Sequence, residues 1–105
     1  MLGAWSAPQK IAPIATTANE DDASMSPDQL EITFAIQANG NKQLSRVTRA
    51  PTASPWGAVT SLNIQLANVT DHTPRYSKDG LTLYFGSTRN AGNEDIYMMT
   101  RATTT

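Results

Sequence analysis

Residues 56–79 read WGAVTSLNIQLANVTDHTPRYSKD, and residues 5–28 read WSAPQKIAPIATTANEDDASMSPD. The two stretches are related by a shift of 51 positions, which aligns Trp5 with Trp56. The alignment continues downstream, first at a spacing of 51 and then of 52, through these pairs: Ser26 and Ser77, Asp28 and Asp79, Phe34 and Phe85, Leu44 and Ile96, Thr48 and Thr100, and Arg49 and Arg101. A tandem repeat of this length is typical of solenoids, propellers and other arrays, whose units cover one another's apolar faces.

The alignment divides the chain into two units. We interpret residues 1–105 as a single fragment, with residues 5–55 as the first repeat and residues 56–105 as the second. The change in spacing predicts one additional loop residue in the second repeat. Because two copies are too few for most repeat architectures, we expect neighbouring chains to supply further copies.

Composition excludes several functional classes. The chain has 105 residues, of which 16% are charged, and a net charge of -1, whereas nucleic-acid binding calls for a basic surface. No apolar run approaches the ~20 residues of a membrane span. Cysteine is absent and His72 is the only histidine, so thiol chemistry and a multi-histidine metal site within one chain are excluded. We therefore expect no cofactor, no metal, no nucleic acid and no membrane span. The first ten residues do not resemble a signal peptide, and the compartment stays open.

Strand signals dominate both repeats, because β-branched residues and turn formers are frequent and apolar residues do not recur at helical spacing. The Asp79-Gly80 pair predicts a hairpin turn. Four strands per repeat are predicted, at residues 7–11, 23–25, 30–36 and 43–48 in the first and at residues 58–64, 74–76, 81–87 and 95–100 in the second. Four antiparallel strands in about 50 residues is the size of one propeller blade.

The second repeat also carries a specific motif. Residues 73–85 read TPRYSKDGLTLYF, and Ser87-Thr88-Arg89 and Asp95-Ile96-Tyr97 follow. This stretch resembles the TolB-type (WD-repeat-like) β-propeller repeat, whose pattern is roughly P-x-x-S-P-D-G-x-x-L-Y-F-x-S-x-R, a glycine loop and D-I-Y. Lys78 replaces the usual proline, and the first repeat has Gln29 in place of the glycine. The resemblance implies four-stranded blades around a channel, usually six or more, and a periplasmic or extracellular location.

We therefore expect an all-β chain that forms a β-propeller fragment of two four-stranded antiparallel blades. In this interpretation residues 5–11 are an outer strand without a blade, and the second blade lacks its outer strand. Because two blades cannot close a ring, we expect the outer strand to be exchanged between chains, so that residues 5–11 pair with residues 95–100 of a neighbour. The resulting head-to-tail homo-oligomer closes with three chains, which we prefer, or with four. In the core, Phe34 and Phe85 are expected to be buried between blades, with Leu83 and Ile96 in the same layers.

A group of polar residues is the best candidate for a ligand site. Asp21, Asp22, Asp71 and His72 fall in equivalent connections between the fourth and first strands, which in a ring would surround one channel mouth. Carboxylates there suit a calcium or magnesium ion or a basic protein or peptide, and Arg75 would add an anion-binding group. The alternative is a solvated loop face, with arginines that hydrogen-bond between blades.

Two repeated pairs also have alternative interpretations. Trp5 and Trp56 would either stack on a sugar or, as we favour, cover the outer edge of each blade. Asp28 and Asp79 are either acids for catalysis or, as we favour, turn residues that accept backbone hydrogen bonds.

These observations favour a non-enzymatic binding or scaffolding module that assembles with itself. No nucleophile, base and orienting acid can be assigned together. Two alternatives stay open: an accessory propeller domain of a larger hydrolase or periplasmic protein, and a designed or reconstructed propeller building block without a ligand. A nucleophile-elbow motif in flanking sequence would favour the hydrolase.

Overall fold

The computed structural model describes residues 3–105, and none of them is helical. The strands are β1 (Glu20–Met25), β2 (Glu31–Ala38), β3 (Asn41–Thr48), β4 (Thr60–Ser61), β5 (Asp71–Tyr76), β6 (Thr82–Asn90) and β7 (Asn93–Thr100). They form a first sheet, β1-β2-β3-β4, and a second sheet, β5-β6-β7, both antiparallel. The prediction of an all-β chain is confirmed. Within the described residues no helix is long and apolar enough to cross a membrane.

The same turn joins the first two strands of both sheets. In the first sheet, the Asp28 carboxylate accepts the Ser26 hydroxyl at 2.7 Å and the Leu30 N–H at 3.0 Å. In the second sheet, Asp79 accepts Ser77 and Leu81 at the same distances. Such bonds are the usual reason for aspartate in tight turns. Both aspartates therefore have structural partners, as expected from the sequence.

The backbone repeats in finer detail as well. A β-bulge interrupts β1 at Asp22, which has a φ of 55°, and β5 at Thr73, which has a φ of 53°. Bulges with positive φ are uncommon for these residue types, so their recurrence at aligned positions marks a common backbone plan. The two sheets are therefore structural as well as sequence equivalents.

The additional residue of the second repeat lies in a strand. The turns that join β2 to β3 and β6 to β7 match, since Asn39 and Ala91 both have a φ of 52° and each is followed by a glycine of positive φ. The ladder between β6 and β7 instead shifts its register between Ser87 and Asn90, whereas the one between β2 and β3 is regular. A two-residue hairpin turn has strict geometry, so the sheet accommodates the extra residue as a bulge in β6.

The outer strands are shorter than predicted. Thr60 and Ser61 of the predicted strand 58–64 pair with β3, and the Leu62 N–H donates to the Leu44 carbonyl at 3.2 Å before Asn63 adopts a φ of 60° and turns the chain away. Residues 7–11 form no strand within this chain. A strand requires a partner edge, and this segment pairs with none in the described structure, although Gln9 to Ile11 line one cavity with residues of β1.

Side chains alternate between the two faces of each sheet, as the pleat requires. Ile32, Phe34 and Val47 form one apolar cluster on the face of the first sheet that points away from the second sheet. Ala35, Leu44 and Phe85 form another cluster between the sheets, against which Leu62, Ile64, Tyr97 and Met99 pack.

Three of the four predicted core residues are buried, but Phe34 lies on the face that points away from the second sheet, so its burial between blades stays a prediction. Phe34 and Phe85 are 1% and 2% exposed, and Leu83 is buried as well. The prediction for Ile96 is wrong within this chain, since its side chain is 76% exposed. It alternates with Tyr97, whose ring stacks on Phe85, so Ile96 points to the opposite face of the second sheet.

The two sheets approach each other most closely at β5. Strands β1, β2 and β3 each have Cα atoms within 8 Å of β5, whereas the strands of the first sheet have none within that distance of β6 or β7. The sheets therefore diverge from β5 outward, and side chains fill the space between them.

Replacing Phe85 with alanine is expected to lower the free energy of unfolding by about 3–5 kcal/mol, because the ring is buried between the sheets. Leu66→Ala, in an exposed loop, is the control and should cost less than about 0.5 kcal/mol. Urea unfolding followed by circular dichroism measures both values. A loss below about 1 kcal/mol for Phe85→Ala would contradict the observed strand register.

The repeated turns predict a dependence of stability on acid. The Ser26 hydroxyl and then the Leu30 N–H lower the pKa of Asp28, and Ser77 and Leu81 lower the pKa of Asp79 in the same way. A folded-state pKa below the unfolded value of ~3.9 means that the two carboxylates stabilise the fold above that pH and lose this contribution as pH falls further.

We therefore expect Asp28→Asn with Asp79→Asn to have a lower melting temperature than the parent at pH 7, and expect the difference to shrink below pH ~4. Melting temperatures measured from pH 7 to about pH 2.5 test this, because that range spans the titration of both carboxylates. A difference that stayed constant across that range would show that the turn carboxylates act without their charge.

Candidate functional site

The five predicted ligand-binding residues all lie in strands: Arg75 was expected in one, whereas the other four were expected in connecting loops. Asp21 and Asp22 belong to β1, and Asp71, His72 and Arg75 belong to β5. The predicted connecting loops are shorter than expected, because backbone bonds from Gln37 to Asn19 and from Thr88 to Thr70 extend the pairing of β1 and β5. The predicted loop placement of Asp21, Asp22, Asp71 and His72 is therefore wrong. The role of the five residues in ligand binding stays a prediction.

Asp21 and Asp22 share a lysine. The Lys42 ammonium lies 2.8 Å from an Asp21 oxygen and 3.8 Å from an Asp22 oxygen. Its hydrogen bond to Asp21 is the largest cause that raises the pKa of Lys42. The carboxylates are therefore partly neutralised within the chain, and this lowers their attraction for a cation.

Asp71 is separated from the other predicted residues by burial. Its side chain faces the first sheet, the residue is 0% exposed, and Arg89 Nη2 donates to both carboxylate oxygens at 3.0 Å. The same nitrogen donates to the carbonyl oxygen of Ile64 at 3.2 Å, and the guanidinium lies 5.5 Å from the Phe85 ring centroid. This arrangement ties β5 and β6 to the chain that follows β4. It gives Asp71 a structural role.

His72 and Arg75 lie on the opposite face of the second sheet. A carboxylate oxygen of Glu94 accepts from His72 Nε2, and His72 Nδ1 bonds the Thr73 hydroxyl at 2.6 Å. Gly86 leaves room for this pair, because an added Cβ would meet Glu94 Oε1 at 2.8 Å. Arg75 is exposed and donates to the carbonyl oxygen of Pro74 at 2.7 Å. The structure therefore does not bring the five residues into one site.

Aligned positions exchange acidic and basic residue types between the two sheets. The Lys42 and Asp21 pair of the first sheet corresponds to the Glu94 and His72 pair of the second. The geometry of the pair is shared by the repeats while its polarity is reversed. The two sheets therefore offer different surfaces to a partner.

The sequence did not predict an ion cluster between the sheets, in which only the carboxylate is buried. Glu31 is buried and accepts from Arg46 at 3.3 Å and from Arg101 at 2.7 Å. Beside it, the hydroxyls of Thr33 and Tyr76 lie 2.5 Å apart, and burial raises the pKa of the Tyr76 phenol well above its usual value. The alternation of Glu31, Thr33 and Ala35 on one face of β2 is the sequence signal that could have identified the layer.

The second sheet has a large apolar face without a cover among the described residues. Tyr84, Ile96 and Met98 are exposed on the side that points away from the first sheet. The aligned residue of Ile96 in the first sheet is Leu44, which is only 1% exposed because it packs on Phe85. The outer edge of β7 likewise has no neighbouring strand in residues 3–105, whereas the outer edge of β3 pairs with β4.

The N-terminal segment also has exposed apolar residues, at the opposite end of the chain from the outer face of the second sheet. Ile14 packs on the cluster of Ile32, Phe34 and Val47 on the far face of the first sheet. Before it, Ile11 is exposed, and Trp5 is 99% exposed, although the aligned Trp56 is partly buried over Arg49. Exposed apolar surface at both ends of a repeat array marks a candidate assembly interface.

Comparisons with known proteins add no family. No family model matches the chain, and a search of curated proteins gives no significant match.

Asp71→Ala is expected to cost about 3–5 kcal/mol of unfolding free energy, because it leaves the Arg89 guanidinium without its buried partner. Asp21→Ala is the matched control at the aligned strand, and should cost at most about 1 kcal/mol because its pair with Lys42 is largely solvated. Chemical unfolding measures both. If both substitutions lower the free energy of unfolding by an equally small amount, Asp71 is not needed for stability, which would favour its predicted role in ligand binding.

Proposed function

We propose that this chain is a non-enzymatic scaffolding module that assembles head-to-tail with copies of itself, and that its two sheets are blades of a TolB-type β-propeller. The observation that carries the proposal is the relation between its two exposed ends. The face of Ile96 and Met98 aligns with the face of the first sheet that the second sheet covers. The outer face of the second sheet is therefore exposed, although the aligned face of the first sheet is buried inside the chain.

The far face of the first sheet carries the residue that aligns with the contact residue of the second sheet. Phe34 aligns with Phe85, the residue through which the second sheet contacts the first. Ile14, Trp56 and Val59 cover Phe34 within the chain and leave it 1% exposed, so a second copy would contact this cover or displace Ile14. A second copy that placed its Phe34 surface against Ile96 would repeat the internal contact. Such a contact is heterologous, and it closes into a ring when its rotation divides a full turn.

The divergence of the sheets supports a propeller arrangement. The two sheets are close at β5 and separate toward β7, as blades do when their first strands line a central channel. Three copies would supply six blades, the number that we prefer from the family resemblance, and four copies would supply eight.

The polar side chains support a structural use over a catalytic one. The buried carboxylates of Asp71 and Glu31 are held by arginines, and His72 is held by Glu94 and Thr73. A catalytic base must be able to reach a substrate proton, and these side chains already have protein partners.

The chain is expected to have a solution mass of about three times 11.3 kDa at micromolar concentration. Light scattering coupled to size exclusion measures it, and dilution should dissociate the assembly. Deleting residues 1–12 should give a smaller species, because it removes Trp5 and Ile11 while Ile14 stays in place. A folded monomer of the full chain at this concentration would refute the proposed function.

A further inference from the structure

An arginine and a tryptophan form a stacked unit at the outer edge of the first sheet. The Arg49 guanidinium carbon lies 4.1 Å from the centroid of the Trp56 ring. Its Nε donates to the carbonyl oxygen of Gln29 at 2.9 Å, and its backbone N–H donates to Leu30 at 3.0 Å. The guanidinium is thus held under the indole by the turn that precedes β2. A cation over a tryptophan face is a favourable contact.

The second sheet has the arginine bound to its turn in the same way but without the tryptophan, and Arg101 also donates to Glu31 at 2.7 Å and lies 6.0 Å from the Tyr76 ring centroid. Arg101 Nε donates to the carbonyl oxygen of Gly80 at 2.9 Å, and its N–H donates to Leu81 at 2.9 Å. These partners align with those of Arg49. The aligned tryptophan is Trp5, which is 99% exposed. Arg101 therefore presents a preformed half of the unit, and Trp5 presents the other half.

Trp5 cannot reach Arg101 of its own chain without leaving the observed arrangement. The N-terminal segment is anchored by Ile14 on the face of the first sheet that points away from the second sheet. Arg101 follows β7 of the second sheet and binds Glu31 on the opposite face of the first. The first sheet therefore lies between the anchored segment and Arg101, and a second copy has to supply the tryptophan.

The pairing of β4 gives the strand register. Thr60 and Ser61 lie opposite Arg46 and Ser45 of β3. The aligned residues are Gln9 and Lys10 on one side, and Met98 and Tyr97 on the other. In the same alignment Ile11 takes the place of Leu62, which packs against the apolar cluster between the sheets.

We propose that Trp5 of one copy stacks on Arg101 of a second copy, and that Gln9 and Lys10 add a strand to β7 of that copy, opposite Met98 and Tyr97. This inference rests on the proposed head-to-tail assembly and names its contacts. The new strand closes the edge of β7 and covers part of its apolar face. Strand addition of this kind obtains affinity from main-chain hydrogen bonds and specificity from the side-chain anchor.

The first experiment tests the tryptophan. In a Trp56→Phe background, Trp5 is the only tryptophan, and its accessibility to acrylamide is measured at rising protein concentration. Quenching should fall as the assembly forms. Arg101→Lys, which keeps the charge near Glu31 but loses the planar stacking surface, should restore quenching and weaken association. Trp5→Ala should weaken association by about 10-fold, while Ala4→Gly should leave it unchanged.

The second experiment tests the register. The chain has no cysteine, so Gln9→Cys with Met98→Cys adds one candidate pair. Directly opposed strand residues have Cα atoms within the range that a disulfide spans. Mild oxidation should give covalent multimers on a non-reducing gel. Gln9→Cys with Ile96→Cys, two positions out of register, should give few, and circular dichroism confirms that both variants fold.

The outcomes separate the two proposals. An assembled chain whose Trp5 stays fully quenchable, or whose off-register cysteine pair cross-links better, overturns this inference and leaves head-to-tail assembly intact. A folded monomer overturns both. Protection of Trp5, together with an intermolecular cross-link in the variant that combines Gln9→Cys with Met98→Cys, supports the inference.

Discussion

The structure depends on the contact between its two sheets through a layer that is apolar at its centre. Ala35 and Leu44 of the first sheet meet Phe85 of the second, and Tyr97 stacks beside it. A four-stranded sheet with apolar residues on both faces cannot be stable alone, since each face requires a cover. One face of the first sheet obtains its cover from the second sheet. The outer face of the second sheet, with Ile96 exposed, has none among the described residues.

Ion pairs border this apolar layer and add geometric definition. Asp71 with Arg89, and Glu31 with Arg46 and Arg101, all lie on the faces that the sheets turn toward each other. Apolar contact alone tolerates sliding, whereas hydrogen-bonded pairs of arginine and carboxylate have strict geometry. A buried charge is costly when unpaired, so the pair of Arg101 and Glu31, which crosses between the sheets, favours one relative placement of the sheets. We regard this pair as a determinant of the spacing that a head-to-tail assembly would have to reproduce.

The repeats have kept their backbone and diverged in their side chains. The turn at Asp28 and Asp79 is the same in detail, whereas the Asp21 and Lys42 pair has become His72 and Glu94. Glu31 aligns with Thr82, so its ion cluster occurs once. The proposed head-to-tail contact would therefore resemble the contact within the chain in its backbone but differ from it in chemistry.

The sequence by itself determined the local structure. The Asp79-Gly80 turn and the period-two alternation depend on neighbouring residues, and the repeat aligns Phe34 with Phe85, so the β-rich fold, the two long hairpins and most of the core could be predicted. Three features required the tertiary structure. Ile96 is exposed because no described residue covers its face, and the extra residue lies in β6 because the hairpin turn tolerates none. The predicted ligand-binding residues do not form one site, because Arg89 binds Asp71 whereas Lys42 binds Asp21. Partners that lie far apart in the chain are set by how the sheets pack, and no local pattern encodes that choice.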